Sequence, residues 1–96
     1  MAGDDAALFR AIADGTRRII LDELVGRPRQ TLFEICARLV SRHGVSSSRQ
    51  AISQHLDVLE QAGLVHSTRS GRYRFFELDT APLRSITERW QSGETS

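Results

Sequence analysis

The chain has no lysine: all 13 of its basic residues are arginine. It has one cysteine, Cys36, which excludes a framework of intrachain disulfides and fits a reducing compartment. No stretch approaches a run of about 18 apolar residues, so no membrane-spanning helix is expected. The opening Met-Ala-Gly-Asp-Asp has no basic segment leading into an apolar run, which argues against a signal peptide. There is no internal repeat and no low-complexity linker. Together these absences predict a soluble, cytoplasmic protein with no membrane partner.

What remains is ordinary globular composition, 40% hydrophobic and 26% charged over 96 residues. That length predicts one domain over 1–96, with a frayed tail at 91–96. A chain this short buries a limited share of its surface, so pairing with a second copy would add stability. The net charge of +1 is uninformative as a total. Arginine suits bidentate contact with phosphate or guanine, although a GC-rich coding sequence is the simpler source of the arginine bias.

Hydrophobic spacing predicts five helices and one hairpin. The first helix opens after Asp4 or Asp5 and carries Leu8, Phe9 and Ile12. Asp14 caps a second through Ile19, Ile20 and Leu24, which Gly26 and Pro28 end. Thr31 and Glu34 form a Thr-x-x-Glu capping box, followed by a stripe of Leu32, Ile35, Cys36, Leu39 and Val40 that stops at His43-Gly44. Ser47 and Gln50 suggest a second box, opening a helix that buries Ile52, Leu56 and Leu59. Gly63-Leu64 reads as its Schellman ending. The period then changes: Leu64 to Arg69 and Arg72 to Leu78 read as strands about Ser70-Gly71, with Phe75-Phe76 breaking strict alternation. Thr80 can cap a last helix with Pro82 in its first turn and Leu83, Ile86 and Trp90 along one face.

Two capped helices, 31–42 and 47–62, thus run directly into a basic hairpin. The second helix pairs its apolar side with a polar side of Arg49, Gln50, Ser53, Gln54, Asp57 and Gln61. Arginine and glutamine can make paired hydrogen bonds to guanine and adenine edges in the major groove. The N-terminal part of a recognition helix is where such contacts arise. Ser46, Ser47 and Ser48, beside the first helical N–H groups, suit phosphate. Between residues 46 and 74, Arg49, Arg69, Arg72 and Arg74 stand against Asp57 and Glu60, a local excess of +2. A solvated polar face would look similar taken alone. The tandem caps and basic hairpin favour DNA.

Three segments resemble a known family. Ala13-Asp14-Gly15-Thr16-Arg17-Arg18-Ile19-Ile20-Leu21 is similar to the Ala-Asp-Pro-Thr-Arg-Arg-x-Ile-Leu signature of ArsR-type (arsenic-repressor-like) regulators. Ala51 to Val65 resembles that family's recognition-helix-to-wing segment, and Arg69-Ser70-Gly71-Arg72-Tyr73 its wing. The resemblance spans about residues 8–90. It implies an α+β, mostly α, winged helix-turn-helix with five helices and a two-stranded β-hairpin wing. It further implies a homodimeric repressor on an inverted-repeat operator in double-stranded DNA. Gln50, Ser53, Gln54 and His55 would lie at the DNA, alongside Ser47, Ser48 and Arg49 and with Arg69, Arg72 and Tyr73 on the wing. The first and last helices would form the dimer interface, through Leu8, Phe9, Ile12, Leu83, Ile86 and Trp90. The chain departs from the pattern at Gly15, where proline is usual, and in a stretch from Glu34 to His55 that is several residues longer, with the excess around Ser41 to Ser48.

Many members of that family sense metals through a Glu-Leu-Cys-Val-Cys stretch. Here it reads Glu34-Ile35-Cys36-Ala37-Arg38, with arginine in place of the second thiol, and the last helix offers no His or Cys. A tetrahedral zinc site needs four ligands, so no metal and no cofactor are expected, and Cys36 reads as a packing residue with a redox-sensing thiol as its alternative. His43 and His66 read as isolated and exposed. An enzyme would need a nucleophile with a base, or a metal; neither Cys36 nor the serines at 46–48 has an acid–base partner in sequence. A winged-helix protein–protein interaction module is the remaining alternative.

Overall fold

The computed structural model describes residues 2–91. Five helices, α1 (Ala2–Ile12), α2 (Gly15–Gly26), α3 (Leu32–His43), α4 (Arg49–Gln61) and α5 (Ala81–Gln91), accompany three strands, β1 (Gln30–Thr31), β2 (Val65–Ser70) and β3 (Tyr73–Leu78). The sheet is antiparallel in the order β1-β3-β2. The wing is therefore a hairpin with a third, two-residue strand on its edge, where the sequence predicts two strands. Pro28 and the cap at Thr31 leave too few residues for a strand pattern to show; Gln30 and Thr31 are recruited by pairing with Phe76 and Phe75.

Local chemistry sets the helix boundaries. The Asp14 carboxylate accepts the Arg17 N–H at 3.0 Å to start α2, and that bond is the first cause holding Asp14 below the usual carboxylate range. At α3, Glu34 N–H donates to Thr31 Oγ1 (3.2 Å) and Thr31 N–H donates to Glu34 Oε1 (2.9 Å), completing the capping box. Such a cap contributes about 1 kcal/mol. The α4 ending closes on Leu64 N–H to Leu59 O (3.0 Å) and Gly63 N–H to Glu60 O (2.9 Å), the paired bonds of a Schellman motif. Gly63 takes φ 79°, which a side chain would strain.

Several boundaries differ from the sequence expectation. α1 already runs from Ala2, so Asp4 and Asp5 lie within it and not before it. α2 ends without a left-handed glycine: Arg27 is extended and Arg29 carries the positive φ of 66°. α4 begins one residue later than predicted, because Ser48 and not Ser47 accepts from Ala51 N–H (3.0 Å). The first N–H of α5 is taken by the Asp79 carboxylate (2.9 Å) in place of the Thr80 hydroxyl. Gln91 closes α5, and residues 92–96 of the predicted tail lie outside the described residues.

The core joins Ile20 and Leu24 of α2, Ile35 and Leu39 of α3, Ile52, Leu56 and Leu59 of α4, and Leu64, Val65 and Phe76. Each fully buried aliphatic side chain contributes about 1.5–3 kcal/mol. Val40 is exposed, contrary to the predicted stripe. The Phe75-Phe76 irregularity has a simple cause: Phe76 enters the core, while the Phe75 ring carries the Arg29 guanidinium 4.1 Å from its centroid.

Candidate nucleic-acid interface

Burial of Ile52, Leu56 and Leu59 rotates the opposite side of α4 outward. Arg49, Gln50, Gln54, Asp57 and Gln61 are exposed on it, Ser53 is partly covered, and Ser46, Ser47 and Ser48 lie exposed just before it. Apart from Ser48, whose hydroxyl serves as the cap, these serines keep their hydrogen-bonding capacity for another molecule.

His55 sits differently. It is partly buried, with Nδ1 3.1 Å from Arg17 Nη1. A guanidinium only donates, so Nδ1 accepts and the ring carries its proton on Nε2. Arg17 also donates to Ala11 O (2.8 Å) and Arg10 O (3.1 Å), and Arg18 donates to Ile12 O (2.8 Å). The Arg-Arg pair thus satisfies the last carbonyls of α1 and fixes the His55 ring. Sequence reasoning noted these arginines as a motif and missed their role.

Beside α4 stands the wing. Its turn is Gly71-Arg72, closed by the Ser70–Tyr73 pair, with Gly71 at φ 64°. That positive φ at the first central position is what a tight hairpin turn demands of glycine. Arg69 pairs across the strands with Arg74. Like charges directly opposite are unfavourable, and the chain relieves one of them: Arg74 donates to Glu60 Oε1 (2.8 Å) and to Ser67 Oγ (3.0 Å). Arg49, Arg69 and Arg72 have no salt-bridge partner among the described residues. The basic excess therefore resides in these three side chains, with Arg74 spent internally.

Behind this face lies a network the sequence did not reveal. Glu23 of α2 is 2% exposed and is reached by Arg38 Nε, by Gln30 Nε2 (2.9 Å) and by His43 Nε2 (3.1 Å). Burial pushes its carboxyl up, but hydrogen bonds from Arg38, Gln30 and His43 outweigh that and hold it below the usual 4.5. His43 is accordingly not isolated; it closes the last turn of α3 onto α2. His66 is exposed as expected but lies 2.7 Å from Asp79 Oδ2. Arg38, the residue that breaks the Cys-x-Cys pattern, is an ion-pair partner of Glu23. Cys36 is partly buried against the core, and burial raises its thiol pKa. No group of three His, Cys, Asp or Glu gathers among the described residues.

Of the expected interface residues on the outer helices, Leu8 and Ile86 are buried in the chain's own core. Ile12 and Leu83 are partly buried against it. Phe9 (43%) and Trp90 (63%) are exposed.

A capped helix pair with a polar, outward-facing second helix and an arginine-tipped hairpin defines a winged helix-turn-helix. The pattern of a helix-turn-helix domain matches residues 12–68. The chain is 47% identical over 90 residues to the HTH-type transcriptional regulator YuzN of Bacillus subtilis, covering 94% of this chain and 98% of that one. It is 35% identical over 77 residues to the transcriptional repressor SdpR of the same organism, covering 80% and 78%. An ArsR-like transcriptional regulator from Rhodococcus sp. RHA1 superposes with a TM-score of 0.75 at 33% identity, covering 98% of this chain and 82% of that one. The chain belongs to the ArsR-type helix-turn-helix transcriptional regulators. It is a DNA-binding regulator of transcription.

Proposed function

We propose that the protein acts in the cytoplasm as a homodimeric repressor, reading an inverted-repeat operator with Gln50, Ser53 and Gln54 of α4 and holding the flanking backbone with Arg69, Arg72 and Tyr73 of the wing. The observation that carries this is the arginine set Arg49, Arg69 and Arg72, without salt-bridge partners among the described residues, around the polar face of α4. Ser47, Ser48 and Arg49 lie at its N-terminus, where helical N–H groups favour phosphate. His55, oriented by Arg17, offers Nε2–H as a further donor.

The dimer is inferred from α5. Ile86 is its one buried side chain among the described residues, and its tie to α1 is the Arg89–Asp5 ion pair (2.7 Å). A short helix with so little packing is not self-sustaining, and exposed Phe9 and Trp90 offer a second copy an apolar surface. Leu8, Ile12, Leu83 and Ile86 would support that surface from beneath. A two-fold protein then requires two-fold DNA, with half-sites about 10 bp apart or a multiple. Footprinting on DNA upstream of its own gene is expected to protect two inverted half-sites; protection of one unrepeated site by a monomer would overturn the proposal.

Regulation by metals is not expected, since Arg38 occupies a ligand position and is bound to Glu23. Zinc or cadmium titrated against a chelator control should leave DNA binding unchanged. A stoichiometric site that releases DNA would contradict this assignment of Cys36 and Arg38.

A further inference from the structure

An open groove of about 620 Å³ runs between the first turn of α3, the start of α4 and β3. Two aromatic side chains on its walls are unusually exposed, Phe33 (68%) and Tyr73 (58%). Neither position is needed by the core, and the two rings line one groove instead of standing singly on the surface. The same groove is lined by Arg49 and Arg72. Its carboxylate, Glu34, is turned to the Thr31 N–H in the capping box. The groove thus has apolar walls and guanidiniums to hand, with its acid engaged elsewhere.

Duplex geometry says what crosses such a place. With the start of α4 in the major groove and the wing tip at the adjoining minor groove, the strand dividing those two grooves must pass between α4 and the wing. We infer that this groove seats that sugar–phosphate strand of B-form DNA, with Arg49 and Arg72 on phosphates and Phe33 and Tyr73 packed against the deoxyribose between them. The inference rests on the placement of α4 and the wing proposed above. A phosphodiester strand alternates charge with apolar sugar faces, and the groove offers the complementary pattern. A ribose in that position would press its 2′-hydroxyl against an aromatic ring with no partner for it.

The test uses a duplex that the wild-type protein enriches from a randomised library, with single ribonucleotides then substituted along each strand. Phe33→Ala is expected to bind the all-DNA probe about tenfold more weakly, the loss for returning part of one ring to water. The wild type should lose about tenfold on a ribonucleotide at one or two positions flanking the α4 contacts, whereas Phe33→Ala should be indifferent there. Tyr73→Leu should behave in the same way, which keeps the test open if one variant folds poorly. Wild-type affinity in both variants, or an undiminished ribonucleotide penalty in both, would overturn the groove assignment. So would a change in oligomeric state with DNA affinity intact, which would make the groove a protein contact. Failure of the wild type to enrich any duplex would instead overturn the reading of the whole face.

Discussion

Arg38→Ala is expected to destabilise the fold by about 3 kcal/mol, the low end of the cost of stripping a partner from a buried charge. Glu23 is buried, and Arg38 is the guanidinium bonded directly to it; Arg42 stands farther off at 3.9 Å. Gln30 and His43 remain in the variant, which keeps the cost at the lower end. For a chain of this size, the melting temperature should fall roughly 10–20 °C at fixed protein concentration. Replacing both partners by apolar residues, Glu23→Leu with Arg38→Met, should recover most of the loss, because no unpaired charge is then left in the interior. The pH dependence has a defined sign. Glu23 is held below its usual 4.5 in the folded state, so its contribution is fully present above about pH 4.5 and drains as the pH falls through the folded value. Arg38→Ala should lose much of that acid sensitivity. A melting temperature within a few degrees of wild type would show that α2 and α3 are held by apolar packing alone.

DNA affinity is expected to fall about a thousandfold between 50 and 200 mM salt. Around α4 and the wing, Arg49, Arg69 and Arg72 have no carboxylate partner among the described residues, and the proposed dimer would offer six such arginines to phosphate. Displacing a counterion for each gives a log–log slope of about −5. The charge is local and not global, since the net charge of the chain is only +1. Arg74 adds nothing to the slope on this account because Glu60 already neutralises it. A slope near zero would favour a protein-interaction module. A slope unaffected by Arg69→Ala and Arg72→Ala together would mean that the phosphate contacts lie elsewhere.

Much of this architecture is legible in the residues because it depends on short-range chemistry. The Thr31–Glu34 box, the Asp14 cap and the Gly63-Leu64 ending are patterns within a few positions, and each forms as expected. The outward face of α4 follows from the spacing of Ile52, Leu56 and Leu59. The shift of the α4 cap to Ser48 shows the limit: three consecutive serines offer three registers, and core packing chooses among them. Long-range partners leave no such trace. Glu23 looks like any helix-surface acid until α3 folds across it, and the last turn of α3 brings Arg42 and His43 to it. Gln30 is fully buried because its amide donates to Glu23 Oε2 and to Arg27 O (2.7 Å). Phe33 shows the converse: it lies off the buried stripe of α3, and the groove it lines takes shape only once the wing stands beside it.

The division of labour between α4 and the wing is tested most directly by binding Gln50→Ala and Arg72→Ala to an operator duplex and to a scrambled duplex at two salt concentrations. Gln50→Ala should cost about 1–3 kcal/mol on the operator and little on scrambled DNA, since a base-edge contact is lost. Arg72→Ala should weaken both duplexes by similar factors and make the salt slope shallower by about one per protomer. If Gln50→Ala weakens both duplexes equally while Arg72→Ala affects only the operator, sequence is read by the wing and the assignment of the two elements is reversed.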